Sequence, residues 1–185
     1  MTETEFLDTI LQNPVNAAIL ERLPLLGAPQ AHLVAGALFG SVWNAMSGRP
    51  PTENIRDYDL FYYDPDTSYQ AEDAVIRRAA HLFADLGAVV EVRNQARVHL
   101  WFERRFGQPR PPISTVRQGI EQFLVRCTCL GVSQGGELYA PGGLDELAAG
   151  ILRPNPHNAD DGRLYRAKVA SYRERWPWLR ADIQG

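Results

Sequence analysis

The chain has 185 residues, 45% of them hydrophobic and 22% charged, with two cysteines and a formal net charge of −3. That length suits one globular domain with a core large enough to be stable without staples. A membrane span, a disulfide scaffold and a four-cysteine zinc site are excluded, because no apolar run approaches ~20 residues and Cys127 and Cys129 stand alone.

The charge is unevenly placed. Residues 1–92 carry 13 acids against 5 arginines, whereas residues 93–185 carry 9 acids against 14 basic side chains. Lys168 is the lone lysine; every other basic residue is arginine, whose planar fork suits phosphate and carboxylate. Met1 to Leu11 lacks a basic stretch ahead of an apolar core, so a cytoplasmic protein with no membrane partner is expected.

Phe6, Leu7, Ile10 and Leu11 recur at helical spacing, and Asn13-Pro14 sets a cap and first turn for a second helix over 14–22. Ala31 to Ala35 reads as a strand ended by Gly36. Leu38, Phe39, Val42, Trp43 and Met46 then form an apolar helical stripe. Asp57 to Tyr63 is the next strand. Thr67 with Gln70 proposes a capping box for a helix carrying Val75, Ala79, Leu82, Phe83 and Leu86, stopped by Gly87. A strand over 88–92 follows, then a helix capped by Thr115 and Gln118 that carries Ile120, Phe123 and Leu124. Residues 127–133 and 137–140 read as a hairpin, 144–151 as a helix and 162–176 as the last one. The expected fold is a mixed α/β domain spanning 1–185, with about five strands flanked by helices. Its N-terminal helices occupy 1–29, its motif core 30–140 and its C-terminal helices 141–185.

Asp57-x-Asp59 carries the chemistry. Alternate side chains of a strand share a face about 7 Å apart, so both carboxylates can converge on one hard cation. Upstream, a strand runs into Gly36-Ala37 at a helix start, where free backbone amides favour a phosphate. Downstream, Glu91 lies between Val90 and Val92, in a strand otherwise apolar, and is the candidate third acid; an ordinary outward-facing position is the alternative. Asn94, Gln95, Arg97 and His99 form a dense polar run after that strand. Asn94 can equally cap a turn, and His99 can equally be a half-buried structural residue. His32, His81 and His157 show no metal-ligand spacing. On the last helix, Arg163, Arg166, Lys168, Arg173 and Arg175 alternate with Tyr165, Tyr172 and Trp176. A nucleic-acid track is possible there, but aromatics packed inward are the simpler reading.

Together these blocks resemble the nucleotidyltransferase superfamily, the polymerase β-like fold. Val34-Ala35-Gly36-Ala37, Asp57-Tyr58-Asp59, Asn94-Gln95-Ala96-Arg97-Val98-His99 and Ala140-Pro141-Gly142-Gly143 are similar to the blocks of one uncharacterised bacterial group within it. The resemblance covers residue 30 to Trp178. It implies Gly36 and Ala37 at the nucleotide phosphates with Ser41 one turn on, Asp57 and Asp59 as ligands of two Mg²⁺ ions, and Glu91 as the third acid. It also places Asn94, Gln95, Arg97, His99 and Arg153 at the substrate and phosphates, with Arg93 nearby. The chain departs from the group's pattern at Ala37, where Gly or Ser is usual, at Phe39-Gly40, where Arg-Asn is favoured, and in a longer interval from Ala37 to Asp57.

The implied reaction moves a nucleoside monophosphate from a nucleoside triphosphate to an acceptor, expelling pyrophosphate. The acceptor (a small molecule, a protein or an RNA), the preferred base and the oligomeric state stay open. A catalytically degenerate nucleotide- or RNA-binding member, or a plain interaction domain with structural acids, is the alternative.

Overall fold

Strands β1 (His32–Val34), β2 (Tyr58–Tyr62), β3 (Val90–Asn94), β4 (Gly131–Ser133) and β5 (Leu138–Tyr139) form one mixed sheet in the order β3-β2-β1-β4-β5. The structure is a computed structural model that describes residues 1–158 and 162–181. β1 pairs antiparallel with β2 and β4, and β4 with β5; β2 and β3 run parallel. A parallel pair needs a long crossover, and α4 (Tyr69–Leu82) supplies it. The remaining helices are α1 (Glu3–Leu11), α2 (Pro14–Arg22), α3 (Gly36–Met46), α5 (Val98–Phe106), α6 (Val116–Ile120), α7 (Asp145–Ala149) and α8 (Arg163–Arg175). A two-residue parallel pair, β6 (Ile151–Leu152) and β7 (Arg180–Ala181), ties the C-terminal part together.

The strands show the period-two alternation that a sheet with two different faces requires. Leu33, Tyr58, Leu60, Tyr62 and Val92 join the main core. Val34, Phe61 and Tyr63 face the opposite side, where a smaller cluster gathers Val116, Ile120 and Cys129. The main core is closed by α8, whose Tyr172 and Trp176 are buried beside Phe39 and Trp43 of α3, with ring centroids 4.7–6.4 Å apart. Gly40 faces the same region: a Cβ there would crowd Ile55 at 3.2 Å and touch the Trp176 ring at an ordinary 3.5 Å. At the Phe39-Gly40 departure, Phe39 packs on Tyr172 and Trp176 while Gly40 faces Ile55 and Trp176. The inward-packing reading of the α8 aromatics holds.

Several local expectations need correcting. α4 is capped by Ser68, not Thr67, because the Asp64–Ser68 turn is already wound by Asp64 and Asp66 accepting backbone amides two residues on. Cys127 is not on a strand. Thr128 bonds back to the Val125 carbonyl through both amide and hydroxyl, closing a 3-10 turn over Arg126–Thr128, and the hairpin starts only at Gly131. α6 stops at Ile120, before Phe123 and Leu124, and β3 runs to Asn94 instead of ending at Val92. α5 was not anticipated. Val98, Trp101, Phe102 and Phe106 do recur at i, i+3, i+4 and i+8, but the aromatic face so formed lines a cleft rather than the main core.

A buried polar network fixes the start of α3 against the N-terminal helices. Asn13 caps α2 through Oδ1, and its Nδ2 donates to Ser41 Oγ (3.1 Å) and Tyr58 Oη (3.2 Å). Asn16 Nδ2 donates to the Ala37 carbonyl (3.1 Å) and to Ser41 Oγ (3.0 Å), and Ser41 Oγ donates to the Ala37 carbonyl (2.7 Å). Such fully buried groups are costly once a partner is removed. Asn13→Ala deletes both a helix cap and a donor to two buried hydroxyls. We expect it to lower stability by about 2–3 kcal/mol, read from urea or thermal unfolding.

Candidate functional site

On the smaller-cluster side of the sheet, strand alternation decides which polar residues meet. Asp57, immediately before β2, and Asp59 share this face with Phe61. In the parallel pairing Asp59 stands opposite Glu91, and Phe61 opposite Arg93. Asp57, Asp59, Phe61 and Arg93 line a cleft of about 580 Å³, together with Gly36, Phe39 and residues of α5, α6 and α8. Its size is that of a small-molecule site.

The two aspartates are unusual in having nothing to hold them. Among the described residues no hydrogen bond or ion pair ends on either carboxylate. Burial pushes Asp59 up to about 7; the neighbouring charges of Asp57 and then Glu91 push the same way, and Lys168 and Arg93 oppose them. Facing the pair is the N-terminus of α3. A Cβ placed on Gly36 would lie 3.9 Å from Asp57 Oδ1, so helix start and carboxylate abut with only a glycine between them. No described group accepts the amide protons of Gly36 and Ala37, the first two orphan donors of the helix. Ala35, which turns the chain into α3, has φ 52° and ψ −118°, a strained conformation for a residue with a Cβ.

Cations rim the opposite wall. Lys168, Ser171, Tyr172 and Arg175 recur at i, i+3, i+4 and i+7 along α8 and line the cleft with Arg56. Arg175 packs over the Trp176 ring (4.7 Å), and its pKa is lowered first by burial and then by the Arg56 charge beside it. A partly desolvated guanidinium crowded by the exposed Arg56 is a natural seat for an anion.

The donor set suits a hard divalent cation shared with phosphate oxygens, since Mg²⁺ takes one or two carboxylates and completes its shell from substrate and water. Two unpaired, mutually repelling carboxylates are the observation that fits. Glu91 does not enlarge this set. Its Oε2 accepts from Arg93 at 2.9 Å with its side chain 42% exposed, and among the described residues no three His, Cys, Asp or Glu side chains gather to hold a metal.

The other expected residues divide. Gln95, 3% exposed, lines the cleft. Asn94 faces away: it brackets the Asp64–Asp66 turn, donating to both carbonyls and accepting from the Asp64 amide at 3.0 Å. Arg97 pairs with Glu72 (2.8 Å), which also accepts the Asn94 amide. His99 stands outside the cleft lining with a buried Nδ1, and Arg153 pairs with Glu146 at 3.1 Å. Ser41 is buried behind α3 in the asparagine network. Ala37 contributes its amide at the helix start while its side chain is fully buried in the core. The cleft residues not anticipated are Arg56, Arg110, the α5 aromatics and, as a cleft wall, the α8 stripe. The stripe's i, i+3, i+4, i+7 spacing was present in the sequence.

Comparison with known proteins gives concordant results. Residues 21–181 match a protein family described as Nucleotidyltransferase. No curated protein matches the chain. An NMR structure described as revealing a CCA-adding enzyme head domain is similar at 26% identity and a TM-score of 0.79, covering 98% of this chain and 96% of that one. A tRNA-processing enzyme in an apo form shares the fold at 13% identity and a TM-score of 0.54, with this chain spanning 43% of its length. Since the family match takes in the whole five-stranded sheet and the cleft built upon it, the chain belongs to this nucleotidyltransferase family.

Proposed function

We propose that the protein is a Mg²⁺-dependent enzyme that transfers a nucleoside monophosphate from a nucleoside triphosphate to an acceptor hydroxyl or phosphate. One observation carries the proposal: Asp57 and Asp59, without a side-chain partner among the described residues, face the open N-terminus of α3 across Gly36. Asp57 and Asp59 would hold the cation, which when bound supplies the positive charge that lets triphosphate and carboxylates coexist. The amides of Gly36 and Ala37 donate to phosphate oxygens at the positive end of α3. Lys168, Arg175 and Arg56 neutralise the remaining phosphate charge from the opposite wall. Glu91 stands in register with Asp59 and keeps the site electronegative, while Arg93 moderates it. Transfer of this kind is chiefly positioning and charge neutralisation, and each of these parts serves one or the other.

Binding of nucleotide or RNA without turnover is favoured by one observation, the engagement of Glu91 by Arg93, which leaves two acids where a third could have joined them. Calorimetry with ATP, CTP, GTP and UTP in the presence and absence of Mg²⁺ tests both readings, and release of pyrophosphate separates them. Metal-dependent binding should fall by roughly tenfold or more in Asp57→Ala and in Asp59→Ala, and by about tenfold in Lys168→Ala. Failure of all four nucleotides to bind would overturn both readings.

Asp59 also makes a statement about the metal-free protein. Its folded pKa, about 7, lies above the ordinary carboxylate value of 3.8, so the folded state holds a proton that the unfolded chain releases. Between those values stability falls as pH rises. Asp59→Asn removes the penalty and is expected to raise the melting temperature at pH 8 by about 5 °C, with the gain shrinking toward pH 4. A gain independent of pH would show that the carboxylate is not desolvated.

A further inference from the structure

The cleft has a second end. Beyond the acids it is walled by Phe61, Phe123 and the aromatic face of α5, where Trp101, Phe102 and Phe106 stack with centroids 4.6–6.4 Å apart. Two donors sit in this apolar surround without the acceptors they call for. Arg110 sits over Phe102, 3.8 Å from the ring centroid, and among the described residues its one hydrogen bond is a long contact of 3.5 Å to the Gln122 carbonyl. Among the described residues no carboxylate pairs with it. Gln95 is 3% exposed, and among the described residues its Nε2 has no hydrogen-bond partner.

The same turn of chain positions both side chains. Gln95 packs so closely on Gly119 that a Cβ there would meet Oε1 at 2.4 Å. Gln122, whose carbonyl receives Arg110, bonds through its amide to the Gly119 carbonyl at 3.2 Å. Gly119 is required for this close approach. A buried amide donor and a desolvated guanidinium left unmatched on one apolar surface are costly unless a ligand completes them. A carboxylate or a phosphate does so, because each offers several lone pairs and the charge that Arg110 lacks.

The triphosphate does not fill this role. Arg56, Arg93, Lys168 and Arg175 already serve the acid end, where Asp59 feels Lys168 and Arg93, and Arg175 feels Arg56 and Asp57. Arg110 is shifted by burial alone, down to about 10, and none of those acids acts on it. Given that the acid end binds nucleotide, on which this inference rests, we propose that the aromatic end is the acceptor pocket: Gln95 and Arg110 grip a carboxylate or phosphate of a small acceptor whose flat, apolar part lies against Trp101 and Phe102.

The test is calorimetry on the full chain saturated with ATP and Mg²⁺, using phenyl phosphate, benzoate and the neutral benzyl alcohol as probes. At least one anion should bind beside ATP and exceed benzyl alcohol by roughly tenfold, and which anion wins distinguishes phosphate from carboxylate. Arg110→Met and Gln95→Leu should each weaken that anion, the former by about tenfold or more, while leaving ATP affinity within about twofold. If Arg110→Met melts well below the wild type, Arg110→Lys takes its place; it keeps the charge, loses the two-pronged grip and must still weaken the anion. The pocket assignment is overturned if benzyl alcohol matches both anions, if the substitutions leave anion binding unchanged, or if ATP displaces the probe. It is also overturned if Arg110→Met costs ATP tenfold, which would make this end part of the nucleotide site. Absence of ATP binding in the wild type sinks the nucleotide reading instead, and anion titration without ATP then still reports on Arg110.

Discussion

Two carboxylates on one strand face, neither given a donor among the described residues, are the constraint around which the cleft is organised. Most buried acids in folded proteins are matched by a base or by several amides, and leaving a pair unmatched costs stability. Here the cost is visible in Asp59, held far above the ordinary carboxylate range by burial and by its acidic neighbours. The surroundings are arranged so that positive charge is near but never in contact. Lys168 and Arg93 partly offset the rise in the Asp59 pKa from a distance, and the start of α3 presents amides across Gly36. A site like this is incomplete by itself and is completed by what it binds.

The support for this geometry lies behind the sheet. Asn13, Asn16 and Ser41 clamp the first turns of α3, and Asn13 also reaches the Tyr58 hydroxyl at the start of β2. One buried network therefore sets both the helix that offers amides and the strand that offers acids. On the other flank, the Trp176 indole Nε1–H donates a hydrogen bond to Asn44 Oδ1 of α3 at 2.8 Å, so α8 and its cationic stripe are registered on the same helix. Shifts of α3 relative to either neighbour would disturb acids, amides and cations together, which is the precision that charge-neutralising catalysis needs.

The block from Asn94 to His99 shows how one motif divides its labour. Asn94 and Arg97 turn toward α4 and the Asp64–Asp66 turn, where they secure the end of β3 with Glu72. Gln95 turns the other way, into the cleft. A dense polar run thus reads as a functional cluster although most of it is scaffold. The orientation of each side chain follows from the 3-10 turn over Gln95–Arg97, which rotates successive residues to different sides as they leave the strand.

By itself the sequence determined what depends on neighbours along the chain. The Asn13-Pro14 cap, the helix beginning at Gly36 and the strand carrying Asp57 and Asp59 on one face all follow from local dihedral preferences and periodicity. They stand close to where those rules put them. By contrast, α4 ends at Leu82, and Gly87 closes only a 3-10 turn over Ala84–Leu86. The resemblance of four blocks to the nucleotidyltransferases carried the fold further than periodicity could. Only the tertiary structure decided which of many arginines meet the acids. Arg97 and Arg153 found carboxylate partners elsewhere, whereas Arg56, Arg110 and Arg175 came to the cleft. It decided as well that Glu91 is held by Arg93 and that the aromatic face of α5 makes a wall. The reason is physical: a charge or a ring can be satisfied by any suitable partner in reach, and reach is set by the packing of distant segments.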